Sequence, residues 1–133
     1  MKVAVPVSGG RVSTAFDFSR RLLVVDYQNG KETGRSEILL DEELPPSRAR
    51  RLQSCGVQAL ICGAISRSLA KHLEVAGIDV TPFVSGSVEK VLAAYLAGDL
   101  ESVRFLMPGS TAEQRKEWRT AHPAGTLAGG GAK

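Results

Sequence analysis

Residues 57–66 read VQALICGAIS, an apolar run that a glycine and, three residues later, a serine bring to an end. Almost every side chain in residues 57–62 is apolar, which is typical of a central strand covered on both faces. Gly63 ends this strand, and beyond Ser66 the apolar residues recur at helical spacing as far as the terminating Gly77. The stretch predicts a strand followed by a helix, the repeating unit of α/β folds.

The segments on either side of this unit predict the rest of an α/β domain. Asn29-Gly30 is a strong hairpin signal between two apolar runs, and Pro45-Pro46 fits the first turn of a helix. The predicted order is β-β-β-α-β-α-β-α, a mixed five-stranded sheet flanked by helices, with right-handed β-α-β crossovers. Its strands lie near residues 3–7, 22–27, 34–40, 57–62 and 78–84, and its helices near 46–55, 66–76 and 88–97.

The charge of the chain is nearly balanced. Seventeen basic and 14 acidic residues give a net charge of +3 over 133 residues. Residues 1–100 carry twelve basic and eleven acidic side chains, so most of the excess lies in residues 101–133. Nucleic-acid-binding domains usually concentrate a larger positive excess on their folded part, so we do not expect a nucleic-acid partner.

No apolar run is long enough to span a bilayer, and the N-terminal residues reach Pro6 and Gly9 too early for a signal peptide. We therefore expect a cytoplasmic protein without a membrane partner. The chain also lacks nucleophile-elbow, Walker and H-E-x-x-H motifs, so no residue is predicted to be catalytic.

Three loops are expected to meet at the carboxyl ends of the parallel strands, where open α/β sheets usually bind ligands. Two of the loops lead into helix N-termini, whose free N–H groups favour anions. An anion-binding site is one interpretation; in the other, the glycines only form turns and the serines only cap helices. The candidate binding residues are Ser8, Gly9, Gly10, Cys62, Gly63, Ala64, Ser66, Ser85, Gly86 and Ser87.

Two further features have open interpretations. Cys62 is either a small core residue or a thiolate facing this crevice, and Cys55 should lie roughly 20 Å away, too far for a disulfide. The groups Arg20-Arg21 and Arg48-Ala49-Arg50-Arg51 either contact an anionic partner or are ordinary solvated side chains.

Three segments together resemble the dinitrogenase iron-molybdenum cofactor biosynthesis domain family, a small domain found alone and at the C-terminus of a cofactor-assembly enzyme. They are residues 1–26, MKVAVPVSGGRVSTAFDFSRRLLVVD, residues 60–66, LICGAIS, and residues 77–100, GIDVTPFVSGSVEKVLAAYLAGDL. The resemblance covers residues 1–107 and implies a ribonuclease-H-like α/β fold there. Beyond residue 107 the regular pattern ends, and the Pro- and Gly-containing residues 108–133 predict a flexible tail. The resemblance also implies binding or delivery of an iron-molybdenum-sulfur or other metal-sulfur cluster, without catalytic turnover.

The chain departs from the family pattern at the histidine and cysteine positions that could bind a metal in other members. A His-Phe-Gly that many members carry corresponds to Ala15, Phe16 and Asp17, and cysteines near the domain end correspond to Ser110 and Thr111. Cys62 is then the one candidate metal ligand. We expect either a carrier that holds an anionic metal-sulfur cofactor and meets a cofactor-assembly protein, or a metal-free interaction or regulatory module that keeps the fold.

Overall fold

The computed structural model describes residues 1–100 and residue 105. It has a mixed α/β architecture, as the sequence predicts. The strands are β1 (Lys2–Ser8), β2 (Arg11–Val12), β3 (Arg21–Gln28), β4 (Lys31–Leu39), β5 (Val57–Ile61) and β6 (Asp79–Thr81). The helices are α1 (Pro45–Ser54), α2 (Arg67–Val75) and α3 (Val88–Ala97), with a 3-10 turn at Phe16–Phe18.

Within the described residues the sheet has six strands, whereas the sequence predicts five. Its main path runs β4-β3-β1-β5-β6, and the additional two-residue strand β2 lies off this path, paired with β1. β1 is antiparallel to β3 and parallel to β5, and β5 is parallel to β6. The carboxyl ends of β1, β5 and β6 therefore share one edge of the sheet, where the candidate loops begin.

Helices cover both faces of the sheet, and the alternation of side chains in β1 assigns the two faces. Ala4 packs into a cluster with residues of α1 and α2, whereas Val3 and Val5 pack into a second cluster with residues of α3. All three side chains are fully buried. Fully burying an aliphatic side chain as large as valine stabilises a fold by about 1.5–3 kcal/mol, so these two clusters provide most of the driving force.

Strand β4 is the exception, because its side chains are exposed over nearly its whole length. Among the described strands it lies at the edge of the sheet, paired with β3, to which the predicted hairpin connects it. None of the helices in residues 1–100 is long and apolar enough to cross a membrane. The predicted domain boundary at residue 107 and the tail over 108–133 lie outside the described residues.

Candidate functional site

Gly9 and Gly10 form the two-residue turn between β1 and β2, directly after Ser8, the last residue of β1. Gly9 and Gly10 have φ values of +58° and +78°. Two consecutive positive φ angles are the pattern of a type I′ hairpin turn, which favours glycine because it has no Cβ. All three residues are exposed. The turn sends the following segment back across the ends of the parallel strands.

This returning segment lies between the other two candidate loops and pairs with both. The Val12 N–H donates to the Gly86 carbonyl at 3.0 Å. The Ala64 N–H donates to the Thr14 carbonyl at 2.8 Å, and the Phe16 N–H donates to the Ala64 carbonyl at 2.9 Å. The three loops are thus brought together as predicted, but residues 12–16 occupy the space between them.

Gly63 is buried beneath the same segment. A Cβ atom at this position would lie 2.7 Å from both the Ser13 and the Thr14 carbonyl oxygens. Such distances are not compatible with any side chain unless the backbone moves. The glycine is therefore required for the close approach of two backbone segments.

Cys62 lies inside the core cluster that also contains Phe16 and Leu69, and its side chain is fully buried. Burial raises the pKa of the Cys62 thiol well above its usual range, and the nearby charge of Asp17 raises it further. The thiol is thus neutral at physiological pH, and in this conformation it does not reach the surface. Cys55 is half-buried, and both cysteines are free.

The N-terminus of α2 already holds an anion, which is a carboxylate of the protein itself. Asp17 Oδ1 accepts a hydrogen bond from the Ser66 N–H at 2.7 Å, and Asp17 Oδ2 accepts one from the Ser66 hydroxyl at 2.5 Å. Ser66 Oγ in turn accepts from the Leu69 N–H at 3.2 Å, as a helix cap does. The donors that the sequence offers to a ligand here are used internally.

The Ser85-Gly86-Ser87 loop is arranged differently. Ser87 caps α3 by accepting a hydrogen bond from the Lys90 N–H, and the Ser85 N–H donates to the Phe105 carbonyl. An open cavity of about 650 Å³ lies beside the loop. Its described lining includes Arg11, Gly86, Ser87, Lys90, Ala93, Ala94, Ala97, Asp99 and Phe105. Basic and acidic side chains both reach this cavity.

A second open cavity, of about 360 Å³, lies beside Ser8 and Gly9, and we call it the arginine cavity. It is lined by Val7, Ser8, Gly9, Ser13, Phe18, Ser19, Arg20 and Arg21. No acidic side chain is among these described lining residues. Arg20 and Arg21 form ion pairs with Asp41 at 3.8 Å and Glu37 at 3.2 Å. Because both arginine side chains are about two-thirds exposed, these pairs hold them weakly.

Arg48 is buried. The sequence suggests either a contact with an anionic partner or a solvated side chain, and neither describes this residue. Its Nη2 donates to the Phe16 and Ser19 carbonyls at 2.7 Å each, and its Nη1 donates to the Glu42 carbonyl at 2.9 Å. The guanidinium also lies 4.9 Å from the centroid of the Phe16 ring. Burial lowers the pKa of Arg48 from its ordinary value. Arg48 thus fixes the loop that carries Phe18 and Arg20.

Sequence reasoning offered Arg20, Arg21 and the group that contains Arg48 as possible anion contacts. It did not predict that Arg48 is buried beneath the loop, and it did not identify Asp17 or Phe18 as parts of the site. A buried arginine and an exposed one have the same sequence signature when neither lies in a periodic pattern. Asp17 was recognisable only as a departure from the family pattern. Its partner, Ser66, is far away in the chain, so only the fold shows the contact.

Several known proteins are similar to this chain. An uncharacterized protein of Methanocaldococcus jannaschii is 26% identical over 107 residues, which cover 76% of this chain and 90% of the relative. The apo form of the orange protein from Desulfovibrio gigas superposes with a TM-score of 0.64 at 22% identity, covering 74% of this chain and 88% of that one.

Two further solved structures are similar. A candidate NifB protein from Thermotoga gives a TM-score of 0.62 at 24% identity, covering 82% of this chain and 98% of that one. A candidate dinitrogenase from Methanocaldococcus jannaschii gives 0.64 at 23% identity, covering 74% and 90%. These likenesses show the fold.

Family membership follows from the sequence model rather than from these superpositions. The model of the family described as dinitrogenase iron-molybdenum cofactor matches residues 1–98, which include every strand and helix described above. The chain therefore belongs to the dinitrogenase iron-molybdenum cofactor family.

Proposed function

We propose that the chain is a cytoplasmic, non-catalytic carrier that binds an iron-molybdenum-type metal-sulfur cofactor or a related anionic ligand. Family membership supports the association with this cofactor. We also propose that the fold is ribonuclease-H-like, which the mixed strand order β4-β3-β1-β5-β6 supports. A cofactor-assembly protein is the proposed partner for delivery.

The arginine cavity is the observation that carries this proposal. Metal-sulfur clusters with bound sulfide are anionic, and guanidinium groups with hydroxyl and backbone N–H donors provide a complementary surface. Arg20 and Arg21 supply two positive charges at the cavity, and Ser8, Ser13 and Ser19 line it. The buried Arg48 side chain donates a hydrogen bond to the Ser19 carbonyl, so this part of the cavity wall is fixed before a ligand binds.

The other candidate residues have different proposed roles. Gly63, Ala64 and Ser66 position the segment that forms one side of the arginine cavity, because they pack against or pair with residues 13–17. Gly10, Gly86 and Ser87 connect residues 10–12, which lead into this segment, to the side of α3. The proposed role of Ser85 is to hold its own loop through the hydrogen bond to the Phe105 carbonyl. As long as Cys62 stays in the core, Ser8 and Gly9 are the two sequence-predicted candidates that we propose to contact the ligand.

Cys62 remains the proposed metal ligand of the chain, but its burial sets a condition. The thiol would have to leave the core and lose a proton before it could bind a metal. The alternative within the same proposal is binding by donors of the arginine cavity alone. The two modes differ in their dependence on Cys62.

Anaerobic titration of the protein with tetrathiomolybdate, followed by visible absorption, tests the proposal. Arg20→Ala combined with Arg21→Ala should weaken binding at least tenfold, since two charge-assisted contacts are lost. Arg67→Ala is the matched control, because it removes an exposed arginine from α2, away from the cavity, and should leave binding unchanged.

Cys62→Ala separates the two binding modes. Unchanged affinity would assign the ligand to the arginine cavity alone, and a large loss would assign a bond to sulfur. No spectral change at concentrations of about tens of micromolar would contradict the proposed function. Binding that is insensitive to the double arginine variant would contradict the proposed site.

The second candidate function is a metal-free interaction or regulatory module. Burial of the Cys62 thiol favours it, because the most plausible soft ligand of the chain is committed to the core. Elemental analysis of protein purified without oxygen distinguishes the two candidates. Stoichiometric molybdenum or iron would support the carrier, and metal-free protein that also fails the titration would support the module.

A further inference from the structure

Phe18 is the most exposed large apolar side chain in the described part of the protein, with 85% of its surface accessible. It lies in the 3-10 turn and lines two cavities at once. One is the arginine cavity. The other, of about 380 Å³, we call the acidic cavity, because Asp41, Glu42 and Glu43 line it together with Leu40.

The turn that presents Phe18 is held rigidly. Arg48 donates hydrogen bonds to the Phe16 and Ser19 carbonyls, on either side of Phe18, and to the Glu42 carbonyl in the neighbouring loop. The backbone around Phe18 is therefore fixed before any partner binds. An exposed aromatic side chain on a fixed backbone loses little conformational freedom on binding, which is typical of interface anchors.

The two cavities differ in charge. The lining of the arginine cavity carries two arginines and no acidic group among its described residues. The lining of the acidic cavity carries four acidic groups and two arginines, Arg20 and the buried Arg48. Phe18 thus separates a basic concavity from one with a net negative charge.

A surface with this pattern is complementary to a second copy of itself. A two-fold rotation about an axis between Phe18 and Asp41 places the Phe18 and Arg20 side of one copy over the acidic cavity of the other, and the reverse contact forms at the same time. It also brings each Phe18 ring to the acidic cavity of the other copy, where Leu40 provides an apolar contact.

We propose that two copies of this chain form a two-fold symmetric dimer through Phe18, with Arg20 of each copy facing Asp41 of the other. Both charged side chains are more than two-thirds exposed and their pairing within one copy is long, at 3.8 Å. They are therefore available to a second molecule. The proposal concerns the ligand-free protein and does not depend on the proposed function.

Sedimentation equilibrium of the ligand-free protein over about 5–200 µM tests the dimer, a range suited to the modest affinity of a small interface. The wild-type protein should show a concentration-dependent approach to the mass of two chains. Phe18→Ser should raise the dissociation constant at least tenfold. Val75→Ser is the matched control, because Val75 is 78% exposed on α2, and it should behave as wild type.

Charge reversal provides a test that does not depend on the apolar contact. Arg20→Glu and Asp41→Arg should each be monomeric alone, since like charges then face each other across both halves of the interface. An equimolar mixture of the two variants should dimerise, because opposite charges then face each other at both contacts. A monomeric wild-type protein throughout the range would overturn the proposal. So would a dimer that is unaffected by Phe18→Ser, or a mixture that stays monomeric.

Discussion

Asp17 and Ser66 are 49 positions apart in the chain, and the carboxylate of Asp17 accepts both the N–H and the hydroxyl hydrogen bonds of Ser66. This contact joins the 3-10 turn to Ser66, the N-cap residue of α2. It places a negative charge at the positive end of a helix dipole, where carboxylates are stabilising. A family-typical glycine at position 17 could not make it.

Asp17→Ala should lower the free energy of unfolding by about 1–2 kcal/mol, because it removes a charge-assisted contact at a helix N-terminus. Urea denaturation monitored by circular dichroism measures this loss. Asp41→Ala removes a carboxylate whose side chain is 81% exposed and should cost less than about 0.5 kcal/mol. Equal losses in the two variants would show that the Ser66 contact contributes nothing specific.

Gly63→Ala should destabilise the fold by about 1–3 kcal/mol or more, because its Cβ would overlap the Ser13 and Thr14 carbonyls. Gly34→Ala is the matched control, since a Cβ there meets nothing within 4 Å. The control should be neutral or slightly stabilising, as alanine replaces glycine in a strand. A stability of Gly63→Ala close to that of wild type would show that residues 13–14 move easily.

Arg48→Met should lower the free energy of unfolding by about 2–4 kcal/mol, because three carbonyls lose the donor that satisfies them away from water. Arg50→Met changes the exposed arginine two positions along α1 and should have little effect. Chemical denaturation compares them. If Arg48→Met is as stable as Arg50→Met, the loop is held by its own packing rather than by the guanidinium.

The stability of the protein should fall at alkaline pH because of Cys62. Burial raises the pKa of this thiol in the folded state, whereas in the unfolded chain its pKa is about 8.5. Above that value the unfolded state releases a proton that the folded state retains, so stability declines by up to about 1.4 kcal/mol per pH unit. Below it the contribution is fully present.

Urea denaturation of the wild-type protein and of Cys62→Ala tests this linkage, at pH values of about 7.5, 8.5 and 9.5. The variant will be less stable at every pH because it leaves a cavity, but its stability should depend less on pH. Parallel pH dependences in the two proteins would show that Cys62 ionises in the folded state as readily as in the unfolded one.

The longer strands and the three helices were predictable from the sequence because its local signals agree with one another. Asn29-Gly30 predicts the β3–β4 hairpin, and the apolar run of residues 57–62 predicts the central strand β5. Strand β2 was missed, since two residues show no periodicity and pair only because the turn at Gly9 and Gly10 returns the chain onto β1.

The site was less predictable, because its character depends on contacts between distant segments. The convergence of three loops followed from strand order, but the filling of the space between them by residues 12–16 did not. Nor did the burial of Arg48, whose partners are backbone carbonyls that any sequence possesses. Local patterns carry no information on which backbone group a long side chain will reach.

The central position of β1 has a consequence for how this molecule folds. Val3 pairs with Val25 in β3 and with Ala59 in β5, so one partner lies close along the chain and the other far away. Hairpins between neighbouring segments form quickly, whereas a long loop must close before β1 and β5 can meet. The edge where β1 and β5 bring the loops together is therefore expected to assemble late, after the β3–β4 hairpin is in place.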